Sequence, residues 1–317
     1  MQPSWRVLEE VINSISKGGL LDILKIQTTV LSAIEDFMIS RGFVQLMPVI
    51  TAKVTDPLSP EPNSSVVEKP KIKYQGEELV LTQSMILHKQ LALLTGAERI
   101  FVMSPNVRLE DPKKRDSGKH LFEFTQMDFE IKEGTMDLVM SLLEDLIVEV
   151  ISSVSSERWR ELKRLGRVLK APPKPFKVYT SHELEERYGK DWEIPASFDH
   201  TYPFWVTCFK REFYDREDPY EPGHYRNYDL IYPEGYGEGV SGGEREWKYE
   251  RLVARIKDDG MKPSEYESYL AVAKMGLLFP SAGAGIGVER LVRFIVGVKH
   301  IADIQPFRRV PGESVLL

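Results

Sequence analysis

The stretch from Asn106 to Glu130 holds the densest set of groups able to do chemistry. Arg108 and Glu110 stand two apart, so on a strand they share a face. Asp111-Pro112 then opens a polar loop carrying Lys113, Lys114, Arg115 and His120. The chain returns through Phe122 to Ile131, where Phe124, Gln126, Asp128 and Glu130 fall on one face. Met127, Phe129 and Ile131 fall on the other and can enter a core. Acids at alternate positions of a half-buried strand need partners. Two readings fit: a solvent-facing hairpin with a basic tip, and a nucleotide site. In the second, arginine clasps phosphate bidentately and an aromatic ring stacks on the base, a contact worth about 1–3 kcal/mol.

Three further patches could contribute. Ser281 to Gly297 reads SAGAGIGVERLVRFIVG. Gly283, Gly285 and Gly287 alternate along a predicted strand and would let a flat ligand lie on bare backbone. Glu289 and Arg290 follow, at the head of a helix stopped by Gly297. Close strand–helix packing is the other reading of those glycines. A dinucleotide fold would place them earlier, and a P-loop would need Gly-Lys-Ser/Thr, which is absent. In YDLIYPEGYGEGVSGGER, Asp229 and Glu238 flank a turn. Such carboxylates suit Mg2+ when phosphate oxygens complete its shell, or are simply two exposed acids. Lys89, within TQSMILHKQ, sits on an otherwise apolar helix, where a snorkelling surface lysine is the plain alternative.

These stretches resemble, in the right order, the three motifs of class II aminoacyl-tRNA synthetases. Gly-x-Gly-x-Gly-x-Glu-Arg at 283–290 resembles the third. RLED…KHLFEFTQMDFE closely resembles the second, as found in the aspartyl and asparaginyl branch. A long helix, Gly42-Phe43, a strand and Pro48 have the layout of the first. The resemblance implies an α+β catalytic domain, mostly antiparallel sheet flanked by helices, that uses ATP and Mg2+ and dimerises through the first motif. It implies that Arg108 contacts the α-phosphate and Glu110 the adenine side. Phe124 stacks on adenine, His120 approaches the terminal phosphates, and Arg290 closes over the base beside Gly287. Arg108, Asp128 and Arg290 are then the catalytic set, with Asp229 and Glu238 as metal ligands and Glu238 also near ATP. Ser84, Lys89, Gln126, Asp128, Ser241, Gly242 and Arg245 form the amino-acid pocket. Lys89 with Asp128 points to aspartate, because in that family such a lysine neutralises a substrate carboxylate.

Departures from the family pattern shape the expected reaction. Only residues 1–19 precede the first-motif helix, so the resemblance implies a core without the N-terminal anticodon-binding domain and no tRNA partner. Ile86 stands where a glutamine helps hold the substrate amino group, and Thr55-Asp56-Pro57-Leu58 replaces a Glu-Gly-Gly type loop. Phe307-Arg308-Arg309 stands where the wider family tends to Phe-Pro-Arg. SMILHKQ and the glycine stretch are similar to those of stand-alone asparagine synthetases related to asparaginyl-tRNA synthetase. The expected function is therefore AMP-forming asparagine synthesis from aspartate and ammonia through a β-aspartyl-adenylate. Aspartate would lie reversed, and Asp128, Asp56 or Glu212 would take a proton from ammonium. Two alternatives stand: a stand-alone enzyme aminoacylating a tRNA or protein, and a non-catalytic regulatory paralogue.

The elements that must position these groups follow from periodicity. Residues 1–19 read as a short amphipathic helical extension, and 20–317 as one catalytic domain with an insertion at 180–200. Helices are expected at 20–41, 84–94, 137–163, 244–258 and from Ser264. Strands are expected at 43–50, 79–81, 101–104, 122–131, 176–179, 203–209 and 227–232, and a loop at 54–78. Thr180 and Glu183 form a capping box. Hydrophobic residues at 42% and charged residues at 28% are ordinary for a globular protein. A net charge of −6 argues mildly against a phosphate-backbone binder. The single cysteine, Cys208, excludes an internal disulfide and a cysteine-rich zinc site, and its apolar run PFWVTCF reads as core strand. No signal peptide or membrane-spanning run is visible, so a cytoplasmic location is expected.

Overall fold

The computed structural model describes residues 9, 12, 13, 15–58 and 66–315. The predicted helix over 1–19 lies largely outside them. Helix α1 (Leu20–Ser40) buries Ile23, Ile26, Val30, Ile34 and Met38 along one stripe. Gly42, at a φ of 79°, ends it. Of the predicted strand over 43–50 only β1 (Val44–Gln45) forms, and β2 (Thr51–Ala52) follows just past its end. Pro48 lies between them and has no N–H to donate to a ladder. The predicted loop contains β3 (Val66–Glu68) and β4 (Lys71–Tyr74), and β5 (Glu77–Leu81) follows.

Next come α2 (Ile86–Ala92), β6 (Arg99–Val107), β7 (Leu109–Glu110) and β8 (Glu123–Lys132). The predicted helix over 137–163 is two helices, α3 (Met136–Glu157) and α4 (Trp159–Arg164), parted at Arg158. Strand β9 (Lys177–Thr180) leads into α5 (Ser181–Tyr188), and the Thr180–Glu183 capping box forms. Helix α6 (Glu193–Phe198), β10 (Phe204–Thr207), β11 (Asn227–Tyr232) and β12 (Gly237–Glu244) complete the middle of the chain. Helices α7 (Tyr249–Asp258) and α8 (Glu267–Lys274) precede β13 (Ser281–Gly287) and α9 (Val288–Val296). Ser264 lies in a 3-10 turn instead of opening α8.

One eight-stranded sheet organises the fold, in the order β1-β6-β8-β13-β12-β11-β10-β9. Its interior pairings are antiparallel, and only the outermost pairs, β1 with β6 and β9 with β10, are parallel. This is the mostly antiparallel α+β sheet expected. Helices α1, α3 and α9 pack on one face. Their apolar stripes meet Phe101, Met127, Phe129, Ile131, Ala284 and Ile286 in one cluster. Each large apolar side chain fully buried there contributes about 1.5–3 kcal/mol. The period-two alternation of β8 leaves its polar residues on the other face. A second apolar cluster gathers Ile86, Leu87, Phe213, Tyr214, Leu252 and Tyr269. Among the described residues, no helix is long and apolar enough to cross a membrane.

Candidate active site

The polar alternates of the central strands line one cleft. On its wall are Ser84, Ile86, Lys89, Arg108, Glu110, His120, Phe124, Gln126, Asp128, Glu238, Ser241, Gly242, Arg245, Gly287 and Arg290. Of the site residues expected from sequence, Asp229 alone is absent from that wall. It is buried on β11, and its carboxylate accepts from Arg211 Nη1 at 2.8 Å.

One end of the cleft gathers cationic and aromatic side chains. Arg108 follows the last residue of β6, where its backbone leaves the ladder. Its Nε donates to Gln83 O at 3.0 Å, and its guanidinium lies 5.2 Å from the Phe124 ring centre. Arg290, in the first turn of α9, donates through Nη1 to Glu238 Oε2 at 2.9 Å. Burial pushes the Glu238 pKa up, but Arg290 and Lys119 outweigh it and hold the carboxyl at about 2, so it is ionised at neutral pH. His120 is the reverse case. Burial, with Arg290 and Lys119 nearby, lowers its pKa to about 3. A phosphate would therefore meet a neutral imidazole, a hydrogen-bond donor and not a cation.

The glycines divide into two kinds. A Cβ on Gly283 would lie 2.0 Å from Phe129 O and 2.4 Å from Glu130 Oε2. One on Gly285 would lie 2.9 Å from Asp128 Oδ1. Gly242 is likewise confined, by Gly283 O and the Tyr228 ring. At Gly287 the nearest atom would be Arg290 Cδ at 3.4 Å, an ordinary contact. Packing demands bare backbone at 242, 283 and 285. Gly287 alone of these leaves unfilled room beside the cleft.

The other end holds a buried ionic network. Lys89 is 2% exposed. Its ammonium donates to Asp128 Oδ1 at 3.1 Å and to Ala284 O at 3.3 Å, with Glu130 Oε2 at 3.6 Å. Lys89 is therefore no snorkelling surface residue. Arg245 donates to Glu130, Asp215 and Gly283 O at 3.2, 3.2 and 2.9 Å. Each acid of β8 thus has a cationic partner. Asp128 lines the cleft, and its Oδ2 is buried with no hydrogen-bond partner among the described residues. A buried acceptor left so is costly, and a ligand N–H would satisfy it.

Two wall residues, Glu193 and Arg211, escape sequence reading. Glu193 on α6, within the predicted 180–200 insertion, accepts from Lys119 Nζ at 2.5 Å and from Glu238 N at 2.9 Å. Arg211 joins Asp229 to Ser241 Oγ, 2.9 Å away. Asp56 accepts from Tyr214 Oη at 2.9 Å, and burial raises its pKa against the pull of Arg108. Glu289 accepts from Thr125 N, and burial pushes its pKa up to about 7. No periodicity marks Arg211 or Glu193, because each reaches the cleft from outside the motif strands. Asp56 and Glu212 were visible as candidate bases, and both line the wall.

Comparison with known proteins places this geometry. Asparagine–tRNA ligase of Pyrococcus abyssi is 30% identical over 92% of this chain and 68% of its own length. Aspartate–tRNA(Asp/Asn) ligase of Methanothermobacter thermautotrophicus is 30% identical over 93% of this chain and 68% of its own. Asparaginyl-tRNA synthetase from Pyrococcus horikoshii, solved with asparaginyl-adenylate, superimposes with a TM-score of 0.85 at 26% identity, covering 99% of this chain and 74% of that one. These relatives correct the expected reaction. They are named as tRNA ligases, not ammonia ligases, and so turn the reading from asparagine synthesis to the aminoacylating alternative. The expectation of no tRNA partner runs against the same names. The family profile "tRNA synthetases class II (D, K and N)" matches residues 6–311, nearly the whole chain, and the chain belongs to that family of ligases.

Proposed function

We propose that this chain activates aspartate with ATP and transfers the aspartyl group to an RNA acceptor. The observation that carries the reading is the cleft's division into two ends. Arg108, Phe124, Arg290 and the open Gly287 form one, and Lys89 with the unpartnered Asp128 Oδ2 forms the other. In this reading adenine stacks between Phe124 and Arg290, with Glu110 at its edge and His120 donating toward the outer phosphates. Aspartate's side-chain carboxylate meets Lys89, and its ammonium donates to Asp128 Oδ2, with Ser84, Gln126, Ser241 and Gly242 enclosing it. Arg245 supports this end through Glu130 and Asp215.

The aspartate α-carboxylate is ionised at neutral pH and needs no base. Its oxygen bonds to the α-phosphorus, and pyrophosphate leaves with the electron pair of the broken P–O bond. Arg108 stabilises charge developing on the phosphoryl oxygens. An acceptor hydroxyl then attacks the acyl carbon and releases its proton to solvent, and AMP departs with the electron pair of the broken acyl–oxygen bond. Mg2+ fits the ionised Glu238, the one member of the expected metal pair on the wall. It would supply charge neutralisation at the phosphates.

We read residues 20–317 as one catalytic unit that dimerises through the 44–50 segment. Val44, Met47 and Ile50 there are 53, 86 and 52% exposed, an apolar strip that a partner would cover. Pyrophosphate exchange with ATP tests activation, with aspartate and asparagine supplied separately. Aspartate-dependent exchange and transfer to tRNA are the expected results. Asparagine alone supporting exchange overturns the amino-acid assignment. Turnover with ammonium and no RNA, or transfer only to a protein lysine, overturns the acceptor.

A further inference from the structure

Away from the cleft, three metal-ligating side chains converge from separate segments. His182 lies in the first turn of α5, Cys208 just past the end of β10, and His224 in the connection between β10 and β11. Cys208 is buried, as its apolar surroundings suggest, but it stands one residue past the strand. One ligand atom from each residue lies within 4.8 Å of the others. Cys208 Sγ and His182 Nε2 are 3.6 Å apart. Zinc–sulfur and zinc–nitrogen bonds of about 2.3 and 2.0–2.1 Å at a tetrahedral angle set sulfur and nitrogen about 3.6 Å apart. A thiol–imidazole hydrogen bond would account for that pair but not for the third ligand.

The surroundings hold these groups in place. Cys208 takes a φ of 70°, unusual for a residue with a side chain. Its carbonyl accepts from Ser181 Oγ at 2.7 Å, beside His182. Phe209 N donates to Asn227 Oδ1, and Asn227 Nδ2 returns a bond to Phe209 O, both at 2.8 Å. His224 Nδ1 lies 3.4 Å from Glu221 Oε2. A carboxylate on one imidazole nitrogen is the usual support for metal ligation through the other.

We propose that His182, Cys208 and His224 bind one Zn2+, with water in the fourth position. One thiolate and two imidazoles form a borderline donor set suited to this ion. Binding releases the thiol proton to solvent. The ion would tie α5 to the segment that carries Arg211 into the cleft wall, so it would brace the site without entering it. The reactions of the cleft do not depend on this assignment, nor it on them.

Chelator-stripped full-length protein titrated with Co2+ tests the site. The expected result is one Co2+ per chain, a thiolate-to-cobalt charge-transfer band in the near ultraviolet, and displacement by one equivalent of Zn2+. Cys208→Ala should abolish the band. His224→Ala should weaken Zn2+ about a hundredfold or more. The His224 side chain is 46% exposed, so that variant should keep the metal-free melting temperature. No stoichiometric uptake, uptake without the thiolate band, or undiminished affinity in His224→Ala would each overturn the proposal.

Discussion

Replacing Gly287 with alanine separates what the fold requires from what a ligand requires. Gly287 has φ −68° and ψ 105°, a conformation open to any residue. The new methyl would meet Arg290 Cδ at 3.4 Å and nothing closer. Alanine reduces the freedom of the unfolded chain, so folding should gain about 0.4–1 kcal/mol. For a chain of this size that is a rise of about 0.6–1.5 °C in melting temperature. The same methyl would project toward a nucleotide lying on the backbone. Overpacking of that kind costs about 1–3 kcal/mol, which is about 5–150-fold in ATP affinity. Calorimetric titration with a non-hydrolysable ATP analogue, beside a thermal melt, reads both quantities. Unchanged ATP affinity would remove the nucleotide from Gly287, and a lowered melting temperature would refute the steric reasoning.

Lys89→Met should cost about 3–5 kcal/mol in denaturant unfolding, because Asp128 and Glu130 lose the cation between them. In pyrophosphate exchange it should raise KM for aspartate at least about tenfold and leave KM for ATP in place; equal effects on both would dissolve the two-ended cleft. Glu289 provides a pH test. Its pKa is raised from 4.5 to about 7 in the fold, so the native state holds a proton that the unfolded chain releases. Its contribution is intact below pH 4.5 and is lost as pH rises toward 7, by at most about 3 kcal/mol. Glu289→Gln should flatten that decline in urea melts at pH 4.5 and 8, and identical slopes in both proteins would contradict the assignment. Met47→Asp should convert a dimer to a monomer in sedimentation velocity; a variant that sediments like a dimeric parent would locate the interface elsewhere.

Sequence reasoning succeeded where side-chain period and backbone pairing are local. The alternation of Met127, Phe129 and Ile131 against Gln126, Asp128 and Glu130 survives intact, because β8 sits between β6 and β13 with one face against helices. It did less well where tertiary partners decide. The apolar context of Cys208 suggested a core strand; the residue is buried, yet it turns out of β10 at positive φ, toward histidines 26 positions before it and 16 after it in the chain. Separations of that size leave no periodic trace. Asp229 and Glu238 flank a turn in sequence, but Arg211, from another segment, pairs with the first.

The fate of the activated amino acid was the least legible feature, and the reason is physical. The change at Thr55-Asp56-Pro57-Leu58 suggested an altered grip on the substrate amino group. In the structure Thr55 Oγ1 accepts from Gln83 N at 2.9 Å, Asp56 Oδ1 accepts from Leu58 N at 3.0 Å, and Asp56 Oδ2 accepts from Tyr214 Oη. Each of those contacts builds the wall that carries Arg108, whose Nε is bonded to the neighbouring Gln83 carbonyl. A loop change can therefore serve the nucleotide end through packing without reversing the amino acid. Activation chemistry is concentrated in a few charged residues and can be read from their spacing. The choice of acceptor depends on which molecule reaches the open side of the cleft, and no short stretch of this chain encodes that by itself.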